Sequence, residues 1–165
     1  MQLKNKMIGG LAIASMGSLA AAIALPNLFA AFSCGGPPIS EVESYVGSLT
    51  RAQEQHFNEN STFAASLEKL DAGVPKATET YKYSTRATER AAFNYGVSQS
   101  DRKNGYVSAV FVVSNSRGKK AASEEPKTVT IMCKSDAPGT SQPADPVYQN
   151  GQASCGANTT EAYMY

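Results

Sequence analysis

The sequence predicts an α+β protein: an N-terminal transmembrane helix, then an amphipathic helix packed on an antiparallel sheet of about four strands. Three observations carry this. No charged side chain occurs between Lys6 and Glu41, and Met7 to Phe32 is an almost uninterrupted apolar run. Apolar residues then recur at three- and four-residue spacing from Glu41, the period of a helix with one buried face. From Glu79 the period changes to strict alternation, the period of half-buried strands. Helices followed by a run of strands give a layer of helix on an antiparallel sheet with a single small core.

A hydrocarbon core needs roughly 20 apolar residues to be crossed by a helix, and Met7 to Leu25 comes close to that length. The run carries Leu25, Pro26 and Asn27 near its end. Lys4 and Lys6 precede it, which orients the N-terminus to the cytoplasm and the polar remainder outside. Charge at the bilayer centre is costly, so its absence here is what a spanning segment requires. Three fates for the segment stay open. It is retained as an anchor, or it is cleaved as a secretory signal, or it is replaced by lipid at Cys34. The apolar core exceeds the roughly 7–15 residues usual for a signal peptide. Ala31 and Ser33 are small, as lipoprotein processing at Cys34 requires, but Phe32 is bulky and Ala31 stands where a lipobox usually has Leu. Every one of these fates places the polar domain beyond the cytoplasmic membrane. The chain therefore divides into residues 1–33, an anchor or signal segment; 34–39, a Gly/Pro linker; and 40–165, an extracytoplasmic domain.

Gly35-Gly36-Pro37-Pro38 ends or redirects any preceding helix. Ser40 and Glu43 form a capping box. Val42, Tyr45, Val46, Leu49, Ala52, His56 and Phe57 then mark one face of a helix over 41–58, with Arg51, Glu54, Gln55 and Asn58 on the other. Ser61 or Thr62 caps a second helix over 63–70, which Gly73 and Pro75 stop. Tyr81 and Tyr83, then Phe93, Tyr95 and Val97, alternate with polar or small residues. Asn104-Gly105 makes a turn through positive φ. Tyr106 to Ser114 and Thr128 to Cys133 are strands, the latter with Val129, Ile131 and Cys133 on one face. Asn115 to Pro126 is a polar loop.

Of the three cysteines, Cys34 stands apart at the edge of the apolar run, and Cys133 and Cys155 are the natural pair. A bridge between them closes a loop worth roughly 3 kcal/mol of chain entropy. The enclosed segment is rich in Pro, Gly, Ser, Asp and Gln and has little apolar surface with which to order itself. Two free buried thiols are the alternative. A metal site lacks a Cys-x-x-Cys pair, and the single histidine is distant.

No constellation for catalysis or cofactor binding is present: no catalytic residue, cofactor-binding residue or metal ligand is assigned. The motifs of acyl or phosphoryl transfer are missing. His56 lies on or beside the apolar helix face, the position of a packed or interface histidine. Glu41, Glu43, Glu54, Glu59 and Glu68 follow helix surfaces, where solvation and capping account for them. Arg117, Lys119, Lys120 and Lys127 are interrupted by Glu124 and Glu125, and 15 basic against 14 acidic residues leave a net charge of +1. That balance argues against nucleic acid as a partner. Asp136 and Asp145 are a weak calcium signal, without EF-hand spacing. The expected partners are membrane lipid and other protein subunits.

Leu19-Ala20-Ala21-Ala22-Ile23-Ala24-Leu25-Pro26-Asn27 resembles the end of the transmembrane helix of type IV pilins. Tyr45 to Glu54, Asn60 to Ala64, Leu67 to Leu70 and Tyr81 to Tyr83 are similar to the cyanobacterial pilin-like G/H group, and the resemblance covers nearly the whole chain. It implies a non-enzymatic structural protein of the cell envelope, with a C-terminal cysteine pair flanking a Pro/Gly-rich loop. Two departures stand against ordinary filament assembly. Type IV pilins have a Gly before Phe-Thr-Leu-x-Glu at the start of the apolar helix, where this chain has Lys4 to Gly10 and no glutamate. In that family the carboxylate neutralises a neighbouring subunit's N-terminus. Gly35 to Pro38 also breaks what would be one long helix.

Overall fold

Ser40 opens the folded domain by closing the expected capping box. Its hydroxyl accepts from the Glu43 N–H, and the Glu43 carboxylate accepts from the Ser40 N–H at 3.0 Å. The structure is a computed structural model that describes residues 39–113 and 127–164, all within one compact unit. Helix α1 runs Glu41–Asn60 and stops where Ser61 turns left-handed (φ 57°) and donates to the Phe57 carbonyl. Helix α2 is only Leu67–Leu70, with Ser66 as its N-cap, which corrects the longer helix expected from Phe63. Gln53 is the physical reason. Its side-chain amide accepts from the Ala64 N–H at 3.0 Å and donates to the Ala64 carbonyl at 2.8 Å, so the carbonyl that a helix would give to the N–H four residues on is taken.

Seven strands follow: β1 (Tyr81–Ala87), β2 (Ala91–Ser98), β3 (Tyr106–Val113), β4 (Lys127–Ser135), β5 (Val147–Gln149), β6 (Gln152–Ser154) and β7 (Thr159–Ala162). Five form one antiparallel sheet in the order β1-β2-β3-β4-β7, and β5 and β6 form a separate antiparallel ribbon. The sheet thus has one strand more than expected, and the ribbon is an addition. Strands of three or four residues are too short to print an alternation on the sequence.

The expected turn between β2 and β3 is present, at Asp101 and Arg102, but it does not use the Asn-Gly pair. Neither Asn104 nor Gly105 takes positive φ; Asn150 and Gly151 do, at 53° and 83°. They are the two loop residues between Gln149 and Gln152, the backbone of a type I′ hairpin.

The sheet is buried on both faces, not around one core as expected. On one face α1 lies over β1–β4. Val42, Val46 and Phe57 are buried there, against Tyr83, Ala92, Val110 and Met132, while Leu49 packs on Ala64 and Leu70. The approach is closest at Gly96, where a Cβ would run into the side chain of Val42 and sit 3.1 Å from Val46 Cγ2. A polar strip crosses this interface. Thr50 bonds Ser108 at 2.6 Å, Asn94 donates to Ser108 at 3.2 Å, and Thr85 joins Asn94 to Gln53. No buried side-chain polar atom among the described residues lacks a partner, as a stable buried network requires. On the other face Phe93, Tyr95, Val107, Ala109, Phe111, Ile131 and Cys133 form a second core, covered by Tyr148, Ala153 and Cys155.

No helix among the described residues is long and apolar enough to cross a membrane. The expected transmembrane helix, with Leu25, Pro26, Asn27 and Cys34, falls outside those residues. So does the whole loop from Asn115 to Pro126, with Arg117, Lys119 and Lys120.

Candidate interaction surface

Cys133 and Cys155 are joined, with Cα atoms 5.8 Å apart, as their spacing suggested. Cys133 is fully buried in β4, so the bridge fastens the end of β6 to the middle of the sheet. The loop it closes lies on the second face. Tyr148 packs on Phe111 with ring centroids 5.7 Å apart, and Phe111 meets Phe93 edge-on at 6.0 Å.

A charged cluster holds the entrance of that loop. The Arg86 guanidinium lies 4.4 Å from the centroid of the Phe93 ring and pairs with Asp145, while Tyr95 donates to the other Asp145 oxygen at 2.6 Å. Burial, followed by the Asp145 hydrogen bond, pushes the Tyr95 hydroxyl up to about 12, so it remains a donor at neutral pH. Both Asp145 oxygens are therefore engaged, and Asp136 accepts from Thr160 at 2.6 Å. The two carboxylates raised as a calcium signal each have a partner, and no group of three potential metal ligands occurs among the described residues.

Sequence reasoning missed this Arg86–Tyr95–Asp145 cluster. One signal was present: Arg86 alternates with Tyr83 and Thr85, which puts it on the face away from α1. A contact 59 residues away in sequence leaves no other trace.

On the opposite face of the sheet, tyrosine hydroxyls meet the start of α1. Tyr83 donates to Glu41 at 3.0 Å and Thr78 to the same carboxylate oxygen at 2.8 Å. Burial, then the Glu41 hydrogen bond, holds Tyr83 well above the usual phenol range. Burial and the nearby Glu43 charge bring Tyr106 to about 12. His56 is half-buried, and its Nδ1 sits 2.8 Å from the Thr62 carbonyl; a carbonyl only accepts, so that nitrogen carries the proton. The histidine thus ties the end of α1 to the next turn. Glu54 accepts from Thr128 at 3.2 Å, a link between helix and sheet that its assignment to the solvated face did not include.

The described surface has an open groove of about 360 Å³ in the disulfide loop, lined by neutral residues including Ser135, Pro143, Asn158 and Thr159. Its large exposed apolar residues are Ile39, Val147, Tyr163 and Met164. The domain is a helix packed on one face of an antiparallel sheet, with a covalently clamped loop on the other. The chain belongs to the type IV pilin-like G and H family, whose model matches residues 40–156, and is on that ground a pilin-like structural protein. No curated protein and no solved structure matches it.

Proposed function

We propose that this protein is a membrane-anchored, non-enzymatic subunit, minor or accessory, of a type IV pilus or a related secretion assembly. Its domain stands in the periplasm or outside the cell. The family match over residues 40–156 carries this reading. The apolar run ahead of the match supplies the anchor. The Cys133–Cys155 bridge supports an oxidising compartment.

A second reading, an accessory subunit of another membrane complex, is favoured by one observation: no glutamate stands in the apolar run. The lipid-anchored form at Cys34 is compatible with either assembly.

The test is intact mass and N-terminal analysis of the protein purified from its native membrane, with identification of what purifies with it. An uncleaved or lipid-bearing chain accompanied by pilus or secretion subunits supports the first reading. Stoichiometric recovery with a complex unrelated to filaments replaces it by the second. A soluble chain lacking the apolar run and any lipid contradicts the anchor.

A further inference from the structure

We propose that Ile39, Tyr163 and Met164 form an apolar foot that rests in the headgroup region of a lipid bilayer. This rests on the anchored reading above. Three of the four large apolar residues exposed among the described residues belong to the foot: Ile39 is 50% exposed, Tyr163 82%, and Met164, next to Tyr163 in the chain, 37%. Ile39 and Tyr163 border one small cleft beside α1, of about 60 Å³, together with Glu43, Ser44, Gly47 and Arg51.

The local sequence explains why these side chains are uncovered. Ile39 directly precedes the helix cap Ser40. A hydrophobic residue there ordinarily packs on the fourth residue of the helix, which in α1 is Ser44. Ser44 and Gly47 likewise give Tyr163 no apolar partner on the flank of α1. Val147 is the one other large apolar residue left exposed among the described residues, so a group of uncovered apolar side chains at this corner marks a contact.

Chain length says what covers it. Ile39 follows Phe32, the end of the apolar run, by seven residues, and Cys34 by five. Even fully extended, these linkers reach only about 25 Å and about 18 Å. A retained helix and a lipid at Cys34 therefore both hold Ile39 near the membrane surface. Tyrosine is suited to that zone, with an apolar ring and a polar tip. The charges at the cleft, Glu43 and Arg51, are of opposite sign, and the polar headgroup zone accommodates charges that the hydrocarbon core would not.

The chain contains no tryptophan, so a single one is a clean probe. Full-length Tyr163→Trp, with Met164→Trp as an independent second position and Val147→Trp as the comparison, is reconstituted into phosphatidylcholine vesicles with plain or brominated acyl chains. The expected result is blue-shifted emission at 163 and 164 that loses most of its intensity to bromine, with Val147→Trp emitting as in water. Vesicle-bound protein whose emission at 163 and 164 matches that at 147 would overturn the foot and leave the anchor standing. A blue shift without bromine quenching would assign the patch to a second copy of the chain. Failure of the protein to float with the vesicles would remove the anchor and the foot together.

Discussion

The two faces of the sheet are closed by different means. Over one face lies a single 20-residue helix with a capping box and a continuous buried stripe. Over the other lies a ribbon of two three-residue strands, far too small to be stable unaided. The helix supplies its own order through propensity, capping and burial, and a polar strip then fixes its position. The ribbon is held by a covalent bond at Cys155, an ion pair at Asp145 and a few aromatic contacts. A face closed by short polar segments needs a clamp that a face closed by a long amphipathic helix does not.

The largest effect that would break this contrast is removal of the clamp. Cys133→Ala with Cys155→Ala should cost about 3 kcal/mol by loop entropy, read as a lower denaturation midpoint, with the Phe93–Phe111 layer becoming reachable by a hydrophobic dye. A loss under about 0.5 kcal/mol would mean that the ribbon holds itself.

Gln53→Ala attacks the helix face. It leaves the Ala64 N–H and carbonyl unpaired in a buried place, at about 2 kcal/mol, and should free the segment between α1 and α2 while sparing the ribbon. Chemical denaturation with exchange at Ala64 checks both parts.

Tyr95→Phe removes one donor from Asp145, for about 1 kcal/mol. Its pH signature is sharper. Tyr95 rises from 10.0 to about 12 on folding, so the proton it keeps favours the folded state: that stability is fully present below pH 10 and is lost as pH rises from 10 towards about 12. Tyr106, under the helix, contributes in the same window. The variant should therefore lose part, not all, of the alkaline sensitivity in a pH series of denaturation midpoints.

The smallest effect belongs to Glu68. Its ion pair with Lys76 lowers the carboxyl from 4.5 to about 2, so the pair adds stability above pH 4.5 that is lost as pH falls towards 2. The pair is exposed, and salt should erase it. Glu68→Gln should flatten the acid limb of the stability profile slightly at low ionic strength and not at all in high salt.

The same contrast governs what the sequence discloses. Helix α1 was legible to within two residues at its end because capping and period are local signals. The alternation in Tyr81 to Val97 placed β1 and β2, and the β-branched and aromatic content of Tyr106 to Ser114 placed β3. The cysteine pair was legible from its isolation in the chain. The second core was not, because its cover comes from a segment whose composition describes a loop, and because an aromatic such as Tyr148 carries no mark of the partner it meets. Thr50 and Gln53 were invisible for the opposite reason. They are polar residues on a buried stripe, and only their distant partners Ser108, Thr85 and Ala64 make that burial acceptable. The Asn-Gly signal was real but stood at Asn150-Gly151, where no alternating run flanks it.

Amide hydrogen exchange on the intact protein and on the Cys133→Ala, Cys155→Ala variant tests the two-face picture most directly. The expected result is loss of protection across Val147–Ser154, with α1 and β1 to β3 still protected. Equal loss of protection in α1 would contradict it, since the helix face would then depend on the clamp as much as the ribbon does.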